Sequence, residues 1–309
     1  MQHLSHPHLL SVKDLNRLDL DLILRRAKDF SENFSPKTPV ELLHGRVMAT
    51  LFAEPSTRTR LSFERAMLAL DGQVLSITGA DSSLTKGETL EDTGRVLSQF
   101  ADVIVARHPE HGSIQRIAQG ATVPVINAGD GIGEHPSQAI QDLYTIKAHH
   151  SNLEGLVVGI VGDLKHGRTV HSLTQVLAQY RVSFVFISHP SLQMPRSLIA
   201  ELEAQKIAVQ ETDDLRQAAA SLDALYVTRV QRERFSDIET YEDLKLAYQV
   251  DINLIKLLKP SCSILHPLPR VGEIDPAIDG DKRALYFEQV RNGIFVRMAL
   301  LALLCGDNL

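Results

Sequence analysis

Tryptophan is absent from this chain of 309 residues, and aromatic residues make up only 5% of it. The chain therefore offers few side chains on which nucleic-acid bases could stack, and its formal net charge is −6. Both features argue against a nucleic-acid-binding protein. A binder of anionic metabolites remains compatible with them, because cations need to cluster only within one cleft.

Cysteine and long apolar runs are also scarce. Cys262 and Cys305 are the two cysteines, and their separation fits no metal-ligand spacing. The most apolar run, residues 298–305, is far shorter than the roughly 18 residues that indicate a membrane span. The first residues lack the basic and apolar regions of a secretion signal. We therefore expect a cytoplasmic protein with no membrane segment, no metal site and a buried helix at its C-terminal end.

Short β-rich runs alternate with helical patterns along the chain, which indicates an α/β protein with parallel sheets and helices on both faces. The length allows two domains. We predict two doubly wound parallel-sheet domains joined by interdomain helices, with a boundary near residue 150 that follows a helix over residues 136–149. The expected strands cover residues 47–52, 74–77, 103–106, 123–127, 156–161, 183–188, 224–228 and 263–265.

The segment Ser56-Thr57-Arg58-Thr59-Arg60 follows the first of these strands and precedes a helical pattern over residues 61–70. The free N–H groups of a helix start, three hydroxyls and two guanidinium groups together favour a bound phosphate. Alternatively, the segment is a Ser/Thr cap followed by solvated arginines. Its position at the carboxyl end of a strand favours the anion site.

Two further segments of the first half supply polar groups near strand ends. Arg107 ends the third predicted strand and could reach a phosphate and a carbonyl together, although a surface ion pair is the commoner role. His135 and Gln138 follow a glycine-rich loop and are three residues apart, so they lie on one side of a helical turn. This pair fits a carbamoyl group, with His135 donating to its oxygen and Gln138 accepting from its NH2. Equally, His135 could cap the helix while Gln138 is solvated.

The second half repeats the pattern. Arg168 follows one predicted strand and Arg229 another, and two fork-shaped donors suit a ligand with two carboxylates. Either arginine alone would be a common surface residue. In Leu265-His266-Pro267-Leu268-Pro269, two prolines restrict the backbone and leave carbonyl oxygens without helical partners. These oxygens could accept from an NH2 group, or the segment could be a plain turn.

The Ser-Thr-Arg-Thr-Arg turn and these later segments resemble those of the aspartate/ornithine transcarbamoylase family, and the resemblance spans nearly the whole chain. It implies a carbamoyl phosphate-binding domain at 1–150, with a helix at about 288–309 packing back on it, and an aspartate-binding domain at 151–287. It also implies a cis peptide bond at Leu268-Pro269, and transfer of a carbamoyl group to L-aspartate in de novo pyrimidine biosynthesis, without a cofactor.

The resemblance assigns a role to each candidate residue. Catalytic roles are implied for Arg58, Thr59, Lys86, Arg107 and His135. Carbamoyl phosphate would be bound by Ser56, Thr57, Arg58, Thr59, Arg107, His135, Gln138, Pro267, Leu268 and Pro269. Aspartate would be bound by Lys86, Arg168, Arg229 and Gln231. Ser83 and Lys86 would reach the site of the neighbouring subunit, so the active chain would be a homotrimer with shared active sites.

Two other functions compete with aspartate carbamoylation. One is an enzyme with a different second substrate, and the other is a protein without catalytic activity. An ornithine-type enzyme would share the first half, but its His-Cys-Leu-Pro segment differs from this chain at Pro267, and its Asp-x-x-x-Ser-Met-Gly segment is missing here. A non-catalytic scaffold paralogue would not need every polar position of the site, and this chain has them all. The resemblance allows either a regulatory chain or a dihydroorotase-type partner to bind the trimer.

Overall fold

A computed structural model describes residues 3–79, 82–229 and 248–306 of the chain. The chain divides into two compact units. The first comprises Met1–Tyr144 and Val290–Leu309, and the second comprises Thr145–Gln289. Each limit between the units falls within a helix, and the domain limits taken from the sequence stay predictions.

The first unit contains a four-stranded sheet in the order β2-β1-β3-β4. All its neighbouring strands pair in parallel, as the alternation of strands and helices predicts. Strands β1 and β3 are apolar and almost wholly buried, which is typical of the centre of a parallel sheet. The strands are β1 (Val47–Phe52), β2 (Gln73–Thr78), β3 (Val103–His108) and β4 (Val125–Asp130).

The helices of the first unit cover this sheet, and α3 and α4 pack on one apolar core with β1 and β3. They are α1 (Arg17–Asn33), α2 (Thr57–Ala69), α3 (Leu90–Leu97) and α4 (Ser113–Gly120). Helix α5 (Pro136–His149) has the predicted limits, with Pro136 in the first position, where a proline's missing N–H costs no hydrogen bond. Helix α2 differs from the prediction, because the Thr57–Arg60 segment forms its first turn rather than preceding it.

The second unit contains a five-stranded parallel sheet in the order β7-β6-β5-β8-β9. Its strands are β5 (Val157–Val161), β6 (Ser183–Ile187), β7 (Val209–Thr212), β8 (Ala224–Val227) and β9 (Ser263–Leu265). The sequence did not predict β7. This strand lies at the edge of the sheet, and its side chains are partly or fully exposed, so it lacks the apolar run of a central strand.

The helices of the second unit are α6 (Arg168–Ala178), α7 (Arg196–Ala204), α8 (Leu215–Ala219) and α9 (Ile252–Ile255). Apolar residues of α8 and α9 form one core cluster with those of β5, β6, β8 and β9. Helix α10 (Tyr286–Cys305) is the last element and begins close to the predicted start at about 288. The prediction of two doubly wound parallel sheets is therefore confirmed.

Candidate active site

In each sheet, the chain order reverses between two neighbouring strands. From β1 the chain moves to β2 on one side and to β3 and β4 on the other, so the switch point of the first sheet lies between β1 and β3. In the second sheet it lies between β5 and β8 for the same reason. Open α/β sheets bind ligands at the carboxyl ends of the strands at such points. The predicted site residues Ser56 and Arg107 lie at the first switch point, and Arg168 and Arg229 lie at the second.

The start of α2 forms the anion-binding part of the first switch point. Ser56 is the N-cap residue, and its side chain makes no capping hydrogen bond. Thr57 and Arg58 are exposed at the first turn, where backbone N–H groups have no partner within the helix. Although Arg58 is exposed by surface area, neighbouring atoms partly desolvate its guanidinium. This desolvation, followed by the positive charge of Arg107, lowers the pKa of that group. Two mutually repelling cations at a helix start favour an anion between them.

Arg107 is buried at the carboxyl end of β3, in register with Phe52 of β1. Its Nη1 donates to the carbonyl of Ala128 at 3.4 Å. Gly129, with φ of 132°, makes room for the guanidinium, since a Cβ there would lie 3.0 Å from Nη1. The Nε atom is 3.1 Å from a carboxylate oxygen of Glu54, close enough for an ion pair but not aligned for a hydrogen bond. Sequence reasoning did not single out Glu54.

Thr59 and His135 lie close together at the carboxyl edge of the sheet, the edge at which Arg107 ends β3. The Thr59 hydroxyl is 3.4 Å from Nε2 of His135, and both side chains are buried. On the other side of the ring, the Ser137 hydroxyl is 3.5 Å from Nδ1. The structure thus brings together a hydroxyl and an imidazole that the sequence places 76 positions apart.

Gln138 is also buried and lies in the first turn of α5. Its Nε2 donates to Oδ1 of Asp142 at 2.7 Å. Asp142 was not predicted from the sequence, although its spacing of four residues from Gln138 on a helix is a recognisable signal of contact.

Ser83 and Lys86 lie together in a separate loop between β2 and α3. They begin and end a 3-10 helix that is followed by Gly87 in the left-handed conformation. Both side chains are exposed. Their role in a neighbouring subunit stays a prediction.

The second switch point positions two arginines. Arg168 is the first residue of α6, and Arg229 follows β8 by two residues. Val161 and Val227 pair at the ends of β5 and β8, so the segments leading to the two arginines start side by side. Gly162, with φ of 121°, allows this approach, since a Cβ there would lie 2.2 Å from the carbonyl oxygen of Thr228. The predicted Gln231 lies outside the described residues.

The Pro267–Pro269 segment follows β9, which pairs with β8. The peptide bond between Leu268 and Pro269 is cis, as predicted, and Leu268 has a φ of 53°. The backbone N–H of Leu268 donates to Nδ1 of the buried His266 at 2.7 Å. His266 therefore fixes the residue whose carbonyl was predicted to bind a ligand.

Two absences hold for the described residues. Among residues 3–79, 82–229 and 248–306, no group of three or more His, Cys, Asp or Glu side chains could hold a metal ion. Within the same ranges, the helices are too short or too polar to cross a membrane.

Two open parallel sheets with arginines at their switch points place the chain among α/β proteins that bind small anions there. Residues 7–148 match the carbamoyl phosphate-binding domain of aspartate/ornithine carbamoyltransferases, and residues 154–304 match their aspartate/ornithine-binding domain. The chain belongs to the aspartate/ornithine carbamoyltransferase family.

Similar proteins cover nearly the whole chain. The aspartate carbamoyltransferase catalytic subunit of Thermococcus gammatolerans is 48% identical over 96% of this chain and 97% of that protein. The catalytic subunit of M. jannaschii aspartate transcarbamoylase has a TM-score of 0.93 and 44% identity, covering 98% of this chain and 99% of that one. Aspartate transcarbamoylase from Trypanosoma cruzi, solved with N-(phosphonacetyl)-L-aspartic acid, has a TM-score of 0.90 and 36% identity, covering 96% and 94%.

Proposed function

We propose that this chain transfers the carbamoyl group of carbamoyl phosphate to the amine of L-aspartate, which gives N-carbamoyl-L-aspartate and phosphate and starts pyrimidine synthesis. One observation carries the proposal. The Thr59 hydroxyl and Nε2 of His135 lie 3.4 Å apart at the switch point where the positive charge of Arg107 contributes to the lowered pKa of Arg58. The names of the similar proteins support the same reaction.

The phosphate group would bind at the start of α2. Ser56, Thr57 and Thr59 offer hydroxyls, the helix start offers backbone N–H groups, and Arg58 offers a fork of donors. Arg107 is buried beside this turn and would contact both the phosphate and the carbamoyl oxygen. Such a site holds the dianion and orients the carbamoyl carbon towards the amine.

The carbamoyl oxygen becomes negative when the aspartate amine attacks the carbon. Thr59, Arg107 and His135 would donate to this oxygen, and donors fixed in a buried site stabilise that charge strongly. The new C–N bond forms, and the bond between the carbamoyl carbon and the phosphate oxygen then breaks. Phosphate leaves with the electron pair, and one of its oxygens takes the proton that the amine loses, so no protein base is required. Carbamoyl phosphate is already activated, so the reaction needs no cofactor.

The carbamoyl NH2 would be held by acceptors. Gln138 is buried in the first turn of α5, three residues after His135, and its amide oxygen would accept one hydrogen. The carbonyl oxygens of Pro267 and Leu268, before the cis bond to Pro269, would accept as well. These contacts select an amide NH2 rather than a carboxylate oxygen.

Aspartate would bind at the second switch point. Arg168 and Arg229 would each grip a carboxylate with two parallel N–H donors, and Gln231 would lie alongside. Lys86 would contact both substrates. Two guanidinium groups fit a dicarboxylate, whereas they would repel the cationic side chain of ornithine.

We also propose a cytoplasmic homotrimer in which Ser83 and Lys86 complete the site of the neighbouring subunit. Their exposure at the ends of a short 3-10 helix supports this role, because both side chains are accessible to another chain. A trimer with shared sites would be inactive as separate chains.

The test is product formation by the purified chain, with carbamoyl phosphate and either L-aspartate or L-ornithine. We expect N-carbamoyl-L-aspartate and stoichiometric phosphate with aspartate, and no citrulline with ornithine. Citrulline alone would overturn the aspartate assignment and leave the phosphate site standing. No product with either amine, from a folded trimer, would overturn carbamoyl transfer.

A further inference from the structure

Helix α5 contains a buried carboxylate that the proposed reaction does not use. Asp142 is fully buried, with 0% of its surface exposed, and lies one turn after Gln138. The Nε2 group of Gln138 donates to Oδ1 of Asp142 at 2.7 Å. This contact is short enough for a charge-assisted hydrogen bond.

The contact decides which way the Gln138 amide points. A glutamine amide has a donor end and an acceptor end of nearly the same shape, so packing alone discriminates poorly between its two orientations. An ionised carboxylate can only accept hydrogen bonds. The NH2 end of Gln138 must therefore face Asp142, and the oxygen end is left to accept from another group.

A buried arginine accompanies the carboxylate. Arg297 of α10 is only 1% exposed. Burial lowers the pKa of its guanidinium to about 10, against the opposing effect of the Asp142 charge, so the group remains a cation at neutral pH. Its Nη1 donates to Oε1 of Gln141 at 2.7 Å and to the carbonyl of Gly293 at 2.9 Å. Its guanidinium carbon lies 5.0 Å from the centre of the Phe63 ring.

A pair of buried opposite charges contributes little to the free energy of unfolding, because the cost of desolvation offsets most of their attraction. Their effect on Gln138 is more specific. The Asp142 charge raises the pKa of Arg297, so the two groups attract each other, and such an attraction favours the ionised carboxylate. The ionised carboxylate is the form that excludes the reversed amide.

We propose that Asp142 is a positioning residue which, with Arg297 as its counter-charge, turns the amide oxygen of Gln138 towards the carbamoyl NH2. This inference rests on the proposed function, since it assumes that Gln138 binds that NH2. It gives Asp142 a role in selecting a ligand that ends in an amide over the otherwise similar ligand that ends in a carboxylate.

The test uses two ligands that bind without reacting. Phosphonoacetamide and phosphonoacetate have a CH2 in place of the bridging oxygen of the carbamoyl ester, and they differ only in the amide or carboxylate end. We expect the wild-type trimer to bind the amide more tightly in titration calorimetry. Asp142→Asn should reduce this preference about tenfold, a change of about 1.4 kcal/mol, because either end of the Gln138 amide can then face position 142. The dissociation constant for inorganic phosphate should not change.

Folding needs its own control, because Asp142→Asn leaves the Arg297 cation buried without its counter-charge. The double variant Asp142→Asn with Arg297→Gln removes both charges and should show the same loss of preference. Melting temperature and circular dichroism identify the folded preparations. In a Gln138→Ala background, Asp142→Asn should produce no further loss of preference, because Asp142 acts through Gln138.

Three outcomes would overturn the inference. The first is an unchanged preference in the folded single or double variant. The second is an equal weakening of both analogues and of inorganic phosphate, which would indicate a purely structural role. The third is a further loss of preference in the Gln138→Ala background. A wild-type trimer that binds neither analogue would instead overturn the proposed function, and the inference with it.

Discussion

The Nε2 atom of His266 lies 2.7 Å from Oε1 of Glu273, and both side chains are buried. Because Nδ1 of the same ring accepts from the backbone N–H of Leu268, Nε2 must be the nitrogen that carries the proton and donates to the carboxylate. The other oxygen of Glu273 accepts from the N–H of Val271 at 2.8 Å. This chain of bonds holds the segment that contains the cis peptide bond.

We expect Glu273→Gln to lower the free energy of unfolding by about 1.5–3 kcal/mol at pH 7, since it removes buried hydrogen bonds to a charged group. Burial alone would raise the pKa of Glu273, but the hydrogen bonds from His266 and from backbone N–H groups outweigh it and leave that pKa below its usual value. A lowered folded pKa stabilises the protein above the unfolded pKa of about 4.3. This contribution is lost as the pH falls through the folded pKa.

Urea unfolding of the wild type and the variant at several pH values measures the effect. The difference between them should be largest near pH 7 and should shrink below about pH 4. Glu201→Gln, at an exposed position of α7, is the matched control and should stay within about 0.5 kcal/mol of the wild type. A difference that is constant with pH would show that the charge of Glu273 contributes nothing.

His135→Ala should lower kcat about 10²–10³-fold, because it removes one of the donors that we propose for the developing oxyanion. The KM for aspartate should change little, since we propose that arginines of the other unit bind its carboxylates. Steady-state kinetics with each substrate varied separates the two effects. His44→Ala removes an exposed imidazole that pairs with Asp71 and should leave both constants unchanged. A normal kcat in His135→Ala would remove His135 from the mechanism.

Most of this architecture could be predicted from local patterns. The central strands β1, β3 and β5 are buried and apolar, so their runs stand out between helical segments. Strand β7 was missed because its Val-Gln-Glu-Thr sequence and exposed position give no such run. Its identity as a strand depends on pairing with β6, which is a tertiary contact.

The candidate site likewise contains residues that local patterns reveal and pairs that depend on tertiary contacts. Residues at strand ends, such as Arg107 and Arg229, could be found because a parallel sheet gathers its strand ends at one edge. The pairing of Arg107 with Glu54 and the approach of Arg297 to Asp142 depend on how separate elements pack. Neither pair has a sequence spacing that predicts contact, so both had to be read from the structure.

Arg229→Lys should raise the KM for aspartate about 10- to 100-fold, because a lysine cannot form the two parallel hydrogen bonds of a guanidinium group. The KM for carbamoyl phosphate should not change. Kinetics with aspartate varied at saturating carbamoyl phosphate gives the result. Arg196→Lys alters an exposed arginine that pairs with Glu211 and serves as the control. An equal rise in both KM values would argue against a direct contact between Arg229 and aspartate.

Mixing two variants that each lack activity tests the proposed homotrimer and its proposed shared site. Trimers of Arg58→Ala and trimers of Lys86→Ala should each have little activity. After dissociation and reassembly at equal amounts, about a quarter of the sites should contain an intact Arg58 and a neighbour's intact Lys86. Activity should recover to about that fraction of the wild type.

The matched control mixes Ser83→Ala chains with Lys86→Ala chains. Both changes lie in the same loop, so each mixed site still receives one altered loop, and activity should not exceed the average of the two parents. If Arg58→Ala and Lys86→Ala fail to complement each other in trimers that have exchanged chains, Lys86 acts within its own subunit.

Gly293→Ala should destabilise the first unit by about 1–3 kcal/mol, as overpacking of a close contact usually does. An added Cβ would lie 2.3 Å from Oε1 of Gln141 and 2.4 Å from Nη1 of Arg297. These ends are not free to move aside, because they bind each other at 2.7 Å in a buried place. Gly280→Ala adds a Cβ with no atom within 4 Å and should change the free energy of unfolding by less than about 0.5 kcal/mol. Equal stability of the two variants in urea unfolding would show that the contact between α5 and α10 has room for a methyl group.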